Sequence, residues 1–228
     1  MMAEDSIRAA LDKGQPALSE YQSKKLLSTY GIPITQEELT NSADEAVSAA
    51  EVIGPPVVLK ACSPELMHKS ETGLIELNLR DEKDVRDAYE RITTATDLEL
   101  DGVLVQEMVP GQRELVLGLT RDPQFGPCIM LGLGGIMTEV FKDTVFRMAP
   151  IDMIEANDMT QELRSRAILD AFRGQEPADL DALCRSLIAI GKIGLELESI
   201  SEIDINPLII DPKGHLKAAD ALVILKRD

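Results

Sequence analysis

Ser201-Glu202-Ile203-Asp204-Ile205-Asn206-Pro207, with the downstream turn Asp211-Pro212-Lys213-Gly214-His215, is the stretch on which the reading turns. Residues alternate faces along a strand, so Asp204 and Asn206 project from one face while Ile203 and Ile205 project from the other. Gly214 stands where a tight hairpin needs a left-handed residue, and a three-residue loop with a bulge fits the turn. That register sets Asp220 directly opposite Asn206. Facing side chains on an antiparallel pair lie about 4.5–5.5 Å apart at Cβ. An amide oxygen and a carboxylate so placed can hold one Mg²⁺, which prefers oxygen ligands. The same pattern also fits two polar residues at strand ends, and another loop length turns Asp220 to the opposite face.

Working outward, the chain has 228 residues, enough for one large domain or two lobes around a cleft. Its net charge of −17 repels a phosphate backbone, and with no Trp there is little base-stacking surface, so nucleic acid is a poor partner. Cys62, Cys128 and Cys184 are odd in number and widely spaced, which points to reduced thiols rather than a disulfide or zinc framework. Met1 to Arg8 holds Glu4 and Asp5 and no apolar run. No stretch approaches the roughly 18 apolar residues of a membrane span. The expectation is a cytoplasmic protein without a membrane partner.

The order of elements predicts an α/β chain of two lobes. Residues 1–17 read as a loose leader with weak helical character, 18–105 as the first lobe and 106–228 as the second. Helices are expected over 19–30, ended by Gly31, and over 42–53, where Ser42 and Glu45 have capping-box spacing. Val57-Val58-Leu59-Lys60, 74–79 and 103–106 read as strands, with a helix over 81–92 between the last two. In the second half, 114–120 and 128–131 read as strands, and 160–172 and 179–196 as helices.

Other candidates stand around the hairpin. Lys60 ends an apolar strand, where a lysine can meet phosphate as a point charge or simply face solvent. His68 follows in a polar loop; imidazole can accept a phosphoryl group, and it can equally be a solvated loop residue. Gln106-Glu107-Met108-Val109 joins the lobes and can offer backbone groups and the Met108 side chain to a purine. Gly132-Leu133-Gly134-Gly135 can bring backbone N–H groups close to phosphate, though no Gly-Lys-Ser/Thr follows it. Lys142, Asp143 and Arg147 lie just beyond, a source of a phosphate-facing cation or a charged solvent face.

These segments in this order resemble ATP-grasp domains, and most closely the β subunit of ADP-forming acetate–CoA ligases. The resemblance is carried by Val57 to Lys60, the loop with His68-Lys69-Ser70, Gln106 to Gly111 and Glu114. It continues through Arg121 to Pro127, Gly132 to Gly135 with Glu139, Lys142-Asp143, Phe146 to Pro150 and Glu202 to Pro207. It implies an ATP-grasp fold with ATP or ADP between two α/β lobes. Lys60, Gly134, Gly135 and Arg147 would then serve the phosphates, Gln106, Glu107, Met108 and Val109 would frame adenine, and Glu114 would line the pocket. Asn206, Asp220 and Asp204 would hold Mg²⁺. His68 would be the phosphoryl-carrying histidine. The implied reaction is acyl-CoA + ADP + phosphate to acid + CoA + ATP. It needs an α subunit with CoA-binding and phosphohistidine domains, as an α2β2 assembly. A carboxylate–amine ligase and a non-catalytic nucleotide-binding subunit are the other readings; the first has no use for His68. One departure stands out: Leu74 follows Gly73 where the family loop usually has a second glycine.

Overall fold

Strand alternation sorts the first half of the chain into a core face and a cleft face. The computed structural model describes residues 2–66, 73–135 and 143–226. A four-stranded antiparallel sheet is built from β1 (Glu37–Thr40), β2 (Val57–Cys62), β3 (Ile75–Leu79) and β4 (Gly102–Glu107), in the order β1-β4-β2-β3. Val57, Leu59 and Ala61 of β2, with Val103 and Val105 of β4, bury themselves under helices α3 (Ala43–Ile53) and α4 (Glu82–Thr94). Val58 and Lys60 point the other way, and Val58 is paired across the sheet with Gln106. Both helices begin as capped: the Ser42 hydroxyl accepts from Glu45 N at 3.2 Å, and the Asp81 carboxylate accepts from Asp84 N at 2.8 Å. Leu74, the departure from the family pattern, is only 2% exposed and belongs to this core.

The larger sheet runs β10-β8-β5-β6-β7, with β9 also paired to β8. Its strands are β5 (Arg113–Asp122), β6 (Gly126–Leu133), β7 (Thr144–Met148), β8 (Ile200–Ile210), β9 (Leu216–Ala218) and β10 (Ala221–Leu225). Leu117, Leu119, Ile129, Leu131, Ile203 and Ile205 form the face covered by α5 (Met153–Glu162) and α6 (Leu180–Glu196). Each such side chain contributes about 1.5–3 kcal/mol of transfer free energy. The apolar stripe expected over 179–196 is the buried face of α6. A helix over 160–172 is not what forms. Asp152 accepts from both Ile154 N and Glu155 N at 2.9 Å, starting α5 earlier, and 166–169 is a single 3₁₀ turn. The cap outweighed the periodicity.

The expected leader also needs correction. Residues 2–12 form helix α1, and Ile7 and Ala10 sit in the large core. Helix α2 (Glu20–Thr29) sends Leu26 and Leu27 into that same core, not into that of the smaller sheet that follows it in sequence. The apolar faces of α1 and α2 therefore pack with the second half of the chain. Among the described residues no helix is long and apolar enough to cross a membrane.

Arg121, near the end of strand β5, donates to the carbonyls of Gly194 at 2.7 Å, Leu197 at 2.9 Å and Ile200 at 2.5 Å. It thus satisfies carbonyls that the end of α6 leaves open and adds a favourable cation there. Arg121→Ala is expected to cost about 2 kcal/mol of stability, read from the midpoint of urea unfolding at unchanged slope.

Candidate functional site

The hairpin at the chain end folds as its turn chemistry dictates. Gly214 takes φ +84, and Asp211 N donates to His215 O at 2.9 Å, closing a loop over Pro212-Lys213-Gly214. Leu208 faces Ala218, and Ile205 faces Ala221. Between these pairs Asn206 N donates to Asp220 O at 3.3 Å, which sets the two residues opposite one another. Asp204 lies two residues from Asn206 on the same face, beside Gly118 and Leu222. His215 is exposed and pairs with Asp211 at 3.2 Å, outside the cleft.

That polar face and the cleft face of the smaller sheet enclose a cleft of about 570 Å³. Lys60, Gln106, Glu107, Met108, Val109, Glu114, Asp204, Asn206 and Asp220 all line it. Nine residues singled out in the sequence thus meet in one place. Val58, Ile75, Leu77, Ile209 and Leu222 supply apolar walls. Such a mixture, apolar walls with a few convergent polar groups, suits a ligand with a flat aromatic part and a charged part.

Lys60 is 6% exposed, and its ammonium donates to Glu20 Oε1 at 2.8 Å and to Ala219 O at 2.7 Å. Burial pulls its pKa down, but the charges of Glu20 and Asp220 outweigh that and leave it above the ordinary lysine range. Lys24 is completely buried and bridges Glu20 at 2.9 Å and Glu37. It also reaches Gln106 Oε1 at 2.7 Å and Thr35 Oγ1 at 3.2 Å. Burial pushes the Glu37 carboxyl up, and the neighbouring Lys24 only partly offsets this. Glu20, Lys24 and Glu37 were missed by sequence reasoning. The available signal was the four-residue spacing of Glu20 and Lys24 on the face of α2 that also carries Leu27, an unlikely place for an unpaired lysine.

The hinge side chains divide their work. Gln106 turns inward to Lys24, whereas Glu107 takes two contacts of 2.6 Å from Lys217 and accepts from Gln36 N at 2.7 Å. Met108 is 36% exposed beside the cleft. Gly134 N donates to Glu114 O at 2.8 Å, and a Cβ on Gly135 would come within 2.3 Å of Glu114 Oε2. The glycines therefore let the chain pass directly over Glu114, whose carboxyl is pushed up by burial. They do not themselves line the cleft.

Arg147 is the site residue that the fold displaces. It pairs with Ile129 across β6 and β7 and so points to the helix-covered face, where it meets Glu162 of α5. Alternation along β7 leaves it on the wrong side for a ligand in the cleft. Asp143 is likewise structural: it is buried and accepts from Arg164 N at 3.0 Å and Ser165 N at 2.7 Å. Burial raises its pKa, yet these hydrogen bonds and that from the Ser165 hydroxyl win, and it stays below the usual carboxylate range. His68, Glu139 and Lys142 lie outside the described residues.

The donor set suits a hard divalent cation. Asn206 offers an amide oxygen, and Asp220 and Asp204 offer carboxylates, all at the same wall of the cleft. Among the described residues no cluster of three or more His, Cys, Asp or Glu forms a closed metal cage. An open oxygen site of this sort is the kind that Mg²⁺ shares with substrate phosphates.

Two antiparallel sheets facing each other across a cleft, each backed by helices, place the chain in a recognised class. The family profile described as "ATP-grasp domain" matches residues 9–225, and the chain belongs to that family. The acetate–CoA ligase [ADP-forming] II subunit beta of Pyrococcus furiosus is 39% identical over 96% of this chain and 96% of its own length. The acetate–CoA ligase [ADP-forming] I of Archaeoglobus fulgidus is 39% identical over 93% of this chain, which spans 32% of that longer protein. A solved structure of the dinucleotide-forming acetyl-coenzyme A synthetase 1 of Ca. Korarchaeum cryptofilum is 44% identical, with TM-score 0.87 over 98% of this chain and all of that one. That structure carries coenzyme A and Mg-AMPPCP, with its phosphohistidine segment pointing towards the nucleotide binding site.

Proposed function

We propose that the chain is the nucleotide-binding β subunit of an ADP-forming acetate–CoA (acyl-CoA) synthetase, an acid–thiol ligase that turns over with an α subunit. The observation that carries this reading is the convergence of Lys60, the 106–109 hinge, Glu114 and the pair Asn206–Asp220 on one cleft. ADP or ATP lies there with its base against the hinge and Met108 and its phosphates toward Lys60. Asn206, Asp220 and Asp204 would hold Mg²⁺, which would supply positive charge against the phosphates. His68 receives a phosphoryl group from the α subunit on its ring nitrogen and gives it to the terminal oxygen of ADP, leaving free imidazole and ATP. The α subunit supplies the CoA site and its own phosphohistidine, and α2β2 is the assembly proposed. The two lobes of the family correspond to the two sheets, with their junction near residues 106–111. Free Cys62, Cys128 and Cys184 fit a reducing cytoplasm.

The test is incubation of the full chain, alone and with its α subunit, with Mg²⁺ and γ-labelled ATP. Acid-labile, alkali-stable label on this chain is the expected result. A chain that binds no ATP in an equilibrium titration would refute the reading.

A further inference from the structure

Lys60 stands between two carboxylates that are given different tasks. Glu20 accepts its ammonium at 2.8 Å, and on the other side the contact is the backbone carbonyl of Ala219 at 2.7 Å. Ala219 immediately precedes Asp220, so the ammonium is anchored one residue away from a metal-side carboxylate. Yet among the described residues the ion pair of Lys60 within 4.0 Å is with Glu20, not with Asp220.

Glu20 can hold this position because its charge is shared. The same Oε1 that meets Lys60 also meets Lys24 at 2.9 Å, and Lys24 in turn engages Glu37 and Gln106. Glu20 and Lys24 lie one turn apart on α2, whose Leu26 and Leu27 fix the helix in the large core. The carboxylate is therefore presented by a rigid element, and its side chain is 1% exposed. If that anion were lost, the strongest carboxylate charge still acting on the buried ammonium anchored at Ala219 would be that of Asp220, ahead of Glu37.

We propose that Glu20 is a positioning residue that holds Lys60 off Asp220, leaving the ammonium to face phosphate and the carboxylate to face the divalent cation. This rests on the nucleotide reading of the cleft. It makes Glu20 a determinant of how strongly Mg²⁺ and nucleotide favour each other's binding, although Glu20 touches neither.

The experiment is calorimetric titration of the full-length chain with ADP, once in excess Mg²⁺ and once in EDTA. For wild type, Mg²⁺ should tighten ADP binding. Glu20→Gln keeps the shape and removes the charge; it should weaken ADP binding roughly tenfold more in Mg²⁺ than in EDTA, where only the Lys60 contact with phosphate is lost, a loss of coupling within the ordinary range. Glu20→Asp keeps the charge on a shorter stem and should restore part of the Mg²⁺ enhancement. Equal weakening in both buffers would make Glu20 merely structural and overturn the proposal, as would an unchanged Mg²⁺ enhancement in a folded variant. Should Glu20→Gln fail to fold, the same comparison on Glu20→Asp decides: an intermediate enhancement supports the proposal, and a wild-type one overturns it. A wild-type chain that binds ADP in neither buffer defeats the nucleotide reading itself, which is a different result from either.

Discussion

Lys24→Met is expected to destabilise the folded chain by about 3–5 kcal/mol, the usual cost of breaking a buried ion pair from one side. Against the roughly 5–15 kcal/mol that holds a typical domain together, this is a large loss. Methionine fills nearly the same space, so no cavity accounts for the effect. What remains is charge: Glu20 and Glu37 keep their carboxylates, but the fully buried ammonium that joined them is gone. The loss spreads further, because Lys24 also binds Gln106 of β4 and lies 3.4 Å from the carbonyl of Ala219. Helix α2, the smaller sheet and the terminal hairpin meet at this one nitrogen.

The pH dependence separates this cause from simple packing. Burial already raises the Glu37 carboxyl, so its own contribution to stability is fully present below its unfolded pKa and is lost as pH rises through the raised value. Removing Lys24 takes away the charge and hydrogen bond that lower it and raises it further. The cost of Lys24→Met should therefore be smaller at pH 5, where more Glu37 is protonated, than at pH 8. Adding Glu37→Gln should recover part of the loss at pH 8, a coupling visible in a double-mutant cycle. Urea unfolding of the four proteins at both pH values is the measurement. A penalty independent of pH and additive with Glu37→Gln would mean that the methionine is simply a poor fit.

How much of this was legible beforehand depends on the range of the interactions. The hairpin was legible because period-two alternation and a left-handed glycine are local facts, and they fix the register that brings Asn206 to Asp220. The helix capped by Ser42 was legible for the same reason, and the one expected over 81–92 forms over 82–94, with Asp81 as its cap rather than its first residue. The membership of α2 in the large core was not: nothing within residues 19–30 says which of two sheets its stripe will meet. Arg147 failed because a charged residue near glycines suggests a ligand, while the strand β7 that turns it away was not recognised. Lys24 failed because its partners Glu37, Gln106 and Ala219 are distant in sequence, and a buried lysine is intelligible only once they are assembled around it.

His68→Ala and Asp220→Ala should separate the two halves of the proposed reaction, each with a large effect on one and little on the other. His68→Ala removes the only nitrogen nucleophile proposed to take phosphate on this chain, so acid-labile label from γ-labelled ATP should disappear altogether. The cleft wall that receives the nucleotide, from Lys60 through the hinge to Asn206, is unaltered, and ADP affinity in Mg²⁺ should stay within about twofold of wild type. Asp220→Ala leaves the histidine in place but deletes the carboxylate facing Asn206. Losing a charged contact of this kind costs about 1.5–3 kcal/mol, or roughly 10- to 100-fold in Mg²⁺·ADP affinity. In EDTA the change should be small, and in sign the reverse, because Asp220 then repels the phosphates with nothing between them. Label on Asp220→Ala should form slowly at ordinary ATP concentrations and recover as ATP and Mg²⁺ are raised, whereas no concentration should rescue His68→Ala. If His68→Ala still accepts label, another residue carries the phosphoryl group; if Asp220→Ala binds Mg²⁺·ADP like wild type, the metal sits elsewhere in the cleft.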